Sequence, residues 1–244
     1  MDRGFFYRRL GKLFPVCFSN VACGGISLPN KHHVASLAEV FLQPHYWRLF
    51  DLLTSSPRTV LDLGGNCGHF PVLCEIIVRW KFGTCTADYH VFEAIRANIS
   101  NIRFTVERAK MSERTCIVHG AVGKRTGEAL LSRSASSTLT SSAVFVGGRV
   151  TERVPYVDLE AYLAVRRIKE VDVLKIDVEG SEYDLIETFP NLFGMARILL
   201  LELHDLDGRQ QAARSFLRSR GLVQAGPALH NGNDELLVFR RQEL

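Results

Sequence analysis

The densest run of ionisable residues in the chain is Lys175-Ile176-Asp177-Val178-Glu179-Gly180-Ser181-Glu182. It follows the apolar run Val171 to Leu174, so it reads as the carboxyl end of a buried strand and the loop beyond it. Charges at Lys175, Asp177 and Glu179 are costly there unless they are paired or used. A second apolar run, Ile198 to Leu203, ends in Glu202 and His204. Ends of neighbouring parallel strands converge, so both groups are expected to face one pocket. Histidine suits proton removal at neutral pH, which makes His204 the first candidate for a general base. Asp177 or Glu179 could serve instead, or orient that base. A divalent metal on Asp177, Glu179 and His204 is the weaker expectation, and no metal ligand is assigned. The competing structural reading is an ion-pair network around Lys175 that only holds the loops.

Other residues could bind a ligand. Asp62-Leu63-Gly64-Gly65-Asn66-Cys67-Gly68 follows the apolar start of a strand. Phe70, Val72, Leu73, Ile76 and Ile77 then recur at helical spacing. Glycine lets such a turn take positive φ and approach a ligand, and the following helix aims unpaired N–H groups into it. The spacing is not G-x-G-x-x-G and no Lys-Ser/Thr follows, which argues against a dinucleotide fingerprint and a P-loop. An acid at Asp62 repels a pyrophosphate and favours a cation. S-adenosylmethionine carries a sulfonium and an ammonium and no phosphate, so it is the expected cofactor. An ordinary strand-to-helix turn is the plain alternative. Glu93 stands 25 residues after Gly68, at the end of a second strand, where an acid commonly receives ribose hydroxyls. A third strand, Thr115 to His119, is expected to end beside the adenine at His119 and Ala121.

These groups need a scaffold, and the apolar runs supply one. Strands alternate with helices, which predicts a doubly wound α/β sheet. Helical spacing from Val34 to Leu53 is broken by Pro44, giving two helices or one kinked helix over the sheet entrance. Val144 to Val146 and Val150 to Val157 are expected as a hairpin across Gly147-Gly148. The polar stretch Ser132 to Ser142 reads as a loop or a lid. Gly221 to Val223 and Glu235 to Phe239 are expected as a final antiparallel pair.

Composition sets the bounds. A chain of 244 residues with 46% hydrophobic and 23% charged residues suits one large core plus an appendage. The division expected is an arm and helical cap over 1–56 and a cofactor-binding domain over 57–244. A net charge of +4 allows an acidic partner without demanding nucleic acid. Six cysteines without a CxxC pair favour a reducing compartment, and no run is long enough to span a membrane. A cytoplasmic enzyme is therefore expected. The arm could be a lid, a surface anchor or the arm of a homodimer.

Three blocks then give a resemblance: Val60-Leu61-Asp62-Leu63-Gly64-Gly65-Asn66-Cys67-Gly68, Val91-Phe92-Glu93, and Leu174 through Glu182. The chain resembles the FkbM-type S-adenosylmethionine-dependent methyltransferases from about Glu39 to Phe239. The resemblance implies a seven-stranded, mostly parallel class I methyltransferase sheet of Rossmann-like kind. It implies O-methylation of a hydroxyl on a small molecule or sugar. By the same likeness Gly64, Gly65, Asn66 and Gly68 line the methionine moiety. Asp62 orients that loop and, directly or through water, the ammonium group; Glu93 binds the ribose, and Asp177, Glu179 and His204 face the acceptor. Ala94 and Ile95 stand where the family often has proline, and Gly65 stands where alanine is common. Methylation of RNA or protein remains the alternative, but the chain lacks both an Asn/Asp-Pro-Pro-aromatic motif and an aromatic-rich basic ribbon. A non-catalytic binding module is the third reading.

Overall fold

Strand β1 (Thr59–Leu63) lies inside the main sheet, paired in parallel with β2 (Asp88–Glu93) on one side and β7 (Val171–Ile176) on the other. The computed structural model describes residues 31–133, 141–142, 150–204, 208–231 and 234–242. Beyond β2 lies β3 (Thr115–His119), and beyond β7 lies β8 (Ala196–Leu203), both parallel to their neighbours. Antiparallel to β8 runs β11 (Asp234–Arg241), which also pairs with β9 (Leu222–Gln224) and β10 (Leu229–Asn231). The sheet therefore has eight strands where seven were expected. The extra strand arises because one edge is broken: Gly226-Pro227 interrupts it, and proline has no N–H for the ladder.

Both faces of this sheet are buried, which is why its strands read as unbroken apolar runs. Successive residues point to opposite faces. Val60, Val173, Leu200 and Val238 belong to one core; Leu61, Leu174, Leu201 and Phe239 belong to the other. The same alternation puts Asp62, Lys175 and Glu202 on the first face. Helices α1 (Lys31–Leu42), α2 (Pro44–Leu52) and α3 (His69–Phe82) cover much of that face. Pro44 opens α2, where its missing N–H costs nothing, so the break predicted there separates two helices. Val40, Phe41, Tyr46 and Leu49 pack into the first core, so the helices of the expected cap share a core with β1.

On the other face lie α5 (Leu159–Val165), α6 (Glu182–Thr188), α7 (Pro190–Met195) and α8 (Gln210–Ser219). Asp158 caps α5 by accepting from the Ala161 N–H at 3.1 Å. Helix α4 (Arg96–Arg108) packs its Ile102 and Val106 into the first core. The expected hairpin partner Val144–Val146 and most of the Ser132–Ser142 stretch lie outside the described residues. Within them, β6 (Val150–Pro155) pairs antiparallel with β4 (Glu128–Arg133), a strand the sequence reading missed, and β5 (Ser141–Ser142) adds to β4. No helix among the described residues is long and apolar enough to cross a membrane.

Candidate active site

The turn after β1 is held to its neighbours by backbone. The N–H groups of Gly64 and Gly65 both donate to the Phe92 carbonyl, at 3.0 and 2.9 Å. Gly64 takes φ +90, and a Cβ there would run into the Asp177 carbonyl. Glycine is required because the turns after β1 and β7 touch at this point. Gly65 lines the inner compartment described below, and a Cβ on it would meet Val91 and Ile102; Gly68, also expected to line the ligand, packs against Ile102 instead. Asn66, at φ +48, donates its N–H to Glu93 Oε2 at 2.7 Å.

From Gly64 and Asn66 a groove runs past Glu93 and Asn98 to Ala121. Phe92, Ile95, Val122 and Leu131 give it apolar walls. Glu93 is 6% exposed, and its Oε1 accepts from the Ile95 N–H at 2.7 Å. Burial pushes its carboxyl up to about 7 against these hydrogen bonds. Ala121 lines the groove. His119 does not line the groove; its Nε2 turns toward the Ala94 carbonyl at 3.1 Å. Among the described residues no lysine, arginine or histidine lines the groove. A pyrophosphate would meet no countercharge from these lining residues. The ends of this groove also carry Asp177, Glu179 and Ser181.

Lys175 explains Asp62. The two are register partners on β1 and β7, with Nζ 3.4 Å from Asp62 Oδ1. Nζ also lies 3.3 Å from Asp177 Oδ2 and donates to the Gly64 carbonyl at 2.8 Å. Asp62 is fully buried and lines neither the groove nor the compartment below. The expected contact of Asp62 with the ammonium group is thus replaced by an ion pair beneath the turn. Burial raises its carboxyl to about 6, opposed by Lys175. Lys175 itself is 4% exposed, and the neighbouring carboxylates outweigh the cost of its burial and hold its pKa well above the ordinary value.

His204 sits between two carboxylates. Glu182 Oε1 lies 3.0 Å from its Nδ1, and Glu179 Oε2 lies 3.5 Å from its Nε2. The same Glu182 oxygen accepts the N–H groups of Val178 and Gly180, at 3.1 Å each. This holds the bend where Glu179 takes φ +54 and Gly180 φ +101. Burial works against charging His204, yet the Glu182 hydrogen bond and the charges of Glu182, Glu179 and Asp177 raise it to about 10. Such a histidine already carries its proton at neutral pH, so the base role expected of it lacks an empty site. Burial and the Asp177 charge push Glu179 and Glu202 each up to about 8. Two donor sets could accept a cation: Asp177, Glu179 and His204, and Glu39, Asp177 and Glu202. Within each, the candidate atoms lie within 4.8 Å of one another.

Glu39 comes from α1 and had no signal in the sequence beyond being an acid on an amphipathic helix. With Ser36, Tyr46, Lys175 and Asp177 it walls a smaller compartment under the helical cover. Gly64, Asn66 and Asp177 line both this compartment and the groove, so the two adjoin. Glu182 was also missed as a working residue; its place beside His204 depends on how α6 meets β8.

The likeness to known proteins agrees with this geometry. Among curated proteins none matches the sequence. A methyltransferase FkbM from Methylobacillus flagellatus KT superposes with a TM-score of 0.57 at 13% identity, covering 95% of this chain and 60% of that one. The METTL16 MTase domain superposes with a TM-score of 0.52 at 11% identity, covering 90% of this chain and 74% of that one. At these identities the likeness shows the α/β methyltransferase fold. Residues 78–223 match the methyltransferase FkbM domain, and with that match the chain belongs to the FkbM methyltransferase family.

Proposed function

We propose that this methyltransferase uses S-adenosylmethionine to methylate a hydroxyl oxygen of a small molecule or sugar. One observation carries the reading: a groove without cations, suited to a nucleoside, adjoins at Gly64, Asn66 and Asp177 a compartment that carries the carboxylates of Glu39 and Asp177. When bound, the cofactor supplies a methyl group already activated on a sulfonium. The chain's task is then alignment and proton removal. Glu93 offers its remaining lone pairs to ribose hydroxyls, and Phe92, Ile95, Val122 and Leu131 exclude water. Asp177 orients the acceptor hydroxyl. Glu179 or Glu202, with pKa values near 8, takes its proton once a nearby positive charge lowers them into the ionised form. His204 holds Glu179 as a cation rather than acting as the base. Lys175 is a positioning residue, reaching Asp62, Asp177 and the Gly64 carbonyl together.

The test is transfer of labelled methyl from the cofactor into separated pools of hydroxylated metabolites, glycans, RNA and protein. Label in the first two, lost with Asp177→Asn, supports the reading. Label in RNA or protein alone overturns it.

A further inference from the structure

Asp62 is spent on Lys175, so an ammonium group at the turn after β1 needs another carboxylate. Glu39 is placed to be that group. It lines the inner compartment together with Gly64 and Asn66, which also line the groove, so a methionine tail extending from a nucleoside in the groove would reach it. An oxygen of Glu39 lies within 4.8 Å of one from Asp177 and one from Glu202. Glu39 makes no ion pair with any described residue. Lys175 already answers Asp177 at 3.3 Å, which leaves Glu39 as the carboxylate here without a facing cation. A second observation points to a ligand. Tyr46 is 1% exposed and lines the same compartment, and its hydroxyl has no hydrogen-bond partner among the described residues. That hydroxyl is near enough to feel the charges of Lys175, Asp177, Glu202 and Glu39. Because Tyr46 lines the compartment, a polar group bound there would give that hydroxyl a partner.

We propose that Glu39 on α1 holds the ammonium group of the methyl donor's methionine tail, with Tyr46 beside it, so that the N-terminal helical pair forms part of the cofactor site. The proposal rests on the S-adenosylmethionine reading above. An ammonium fits better than a divalent ion because it donates three hydrogen bonds in different directions, which suits separate carboxylates and a hydroxyl. Glu39 and Tyr46 lie outside residues 78–223, so the assignment is not inherited from the family match.

The experiment is calorimetry on the full chain with two probes, S-adenosylhomocysteine and its analogue lacking only the amino group. The wild-type protein should prefer the amine by about 10-fold or more, the scale of one charge-assisted hydrogen bond. In Glu39→Gln the two probes should bind within about 3-fold of each other, and Glu39→Asp should restore part of the preference. A full preference retained in Glu39→Gln overturns the proposal while leaving the cofactor reading intact. Equal weakening of both probes also overturns it, because Glu39 would then only support the compartment. Titration with magnesium chloride alone gives the third arm: magnesium binding that Glu39→Gln abolishes, with the amine preference unmoved, replaces the ammonium with a metal. Failure of the wild-type protein to bind either probe defeats the cofactor reading itself.

Discussion

Nδ1 of His204 lies 3.0 Å from Oε1 of Glu182, a carboxylate with no exposure to solvent. The contact joins the end of β8 to the first residue of α6, and it fixes the charge of the histidine. A group whose folded pKa is raised, here to about 10, adds stability that is fully present below its unfolded pKa, roughly 6.5. That contribution fades as pH rises through 10. The stability gap between wild type and His204→Gln should therefore be widest near pH 6 and narrow steadily toward pH 10. Urea melts at several pH values measure it. A gap that widened with pH would show that His204 is neutral in the fold.

Glu182→Gln tests the same pair from the other side. The amide oxygen can still accept the Val178 and Gly180 N–H groups, but the negative charge is gone. The His204 pKa should fall toward the ordinary value by one unit or more, read by NMR titration of its ring protons. Stability at neutral pH should drop by roughly 1.5–3 kcal/mol, the usual worth of hydrogen bonds to a charged group.

Cofactor binding should release protons. Burial raises Glu179 and Glu202 to about 8 and Glu93 to about 7, so near pH 7 these carboxyls hold protons. A bound cation favours their ionised forms and drives those protons off. Calorimetric heats for sinefungin, which carries an extra ammonium near the sulfonium position, should thus differ between buffers of high and low ionisation enthalpy at pH 7. The sign should correspond to protons leaving the protein. Heats independent of buffer would mean that the carboxylates are ionised beforehand or lie too far from the bound charge.

Much of this was legible in the sequence, for physical reasons that also mark the limits. Thr115–His119 is legible to the residue, and the apolar run Val60 to Leu63 marks all but the first residue of Thr59–Leu63, because each run ends at a glycine. Pro44 marked the helix break because its ring cannot continue a helix. The edge strand β10 was missed, since three residues carry little periodicity. Strand β4 did alternate, with Ala129 and Leu131 inward, but its partner β6 lies some twenty residues away, and the nearer valines drew the pairing. Composition of the site was readable while its pairings were not. Asp62 meets Lys175 only through the parallel register of β1 and β7, more than a hundred residues apart. The His204 charge depends on where α6 begins relative to β8. Glu39 reaches the site only because α1 lies on the face that carries Lys175 and Glu202. Distances of this kind are set by tertiary packing, which local spacing does not record.

Lys175 offers a clean distinction between a reacting group and a supporting one. Removing it in Lys175→Met leaves Asp62 buried without a cation, which should cost about 3–5 kcal/mol. Adding Asp62→Asn removes that orphaned charge and should return a large part of the stability. If Lys175 acts only through position, the double variant should fold and bind S-adenosylhomocysteine weakly, because the Gly64 carbonyl loses its donor. Equal loss of stability in single and double variants would mean that Asp62 is not the partner that matters.

The two neighbouring glycines should respond differently to alanine, although both positions are crowded. At Gly64 the obstacle is the Asp177 carbonyl, part of the backbone, and φ is +90. Neither can relax without parting the turns after β1 and β7, so Gly64→Ala should cost roughly 3 kcal/mol or more and abolish cofactor binding. At Gly65 the obstacle is the Val91 side chain, with Ile102 behind it. Gly65→Ala should cost about 1–3 kcal/mol, the range for overpacking a core. Trimming the obstacle with Val91→Ala should then recover part of that loss, a coupling that a double-mutant cycle in urea melts reads directly. The same trimming should do nothing for Gly64→Ala, because no side-chain change moves the Asp177 carbonyl. Recovery at Gly64 would show that the two turns are not locked together, and the shared wall of the groove and the inner compartment would lose its rigidity.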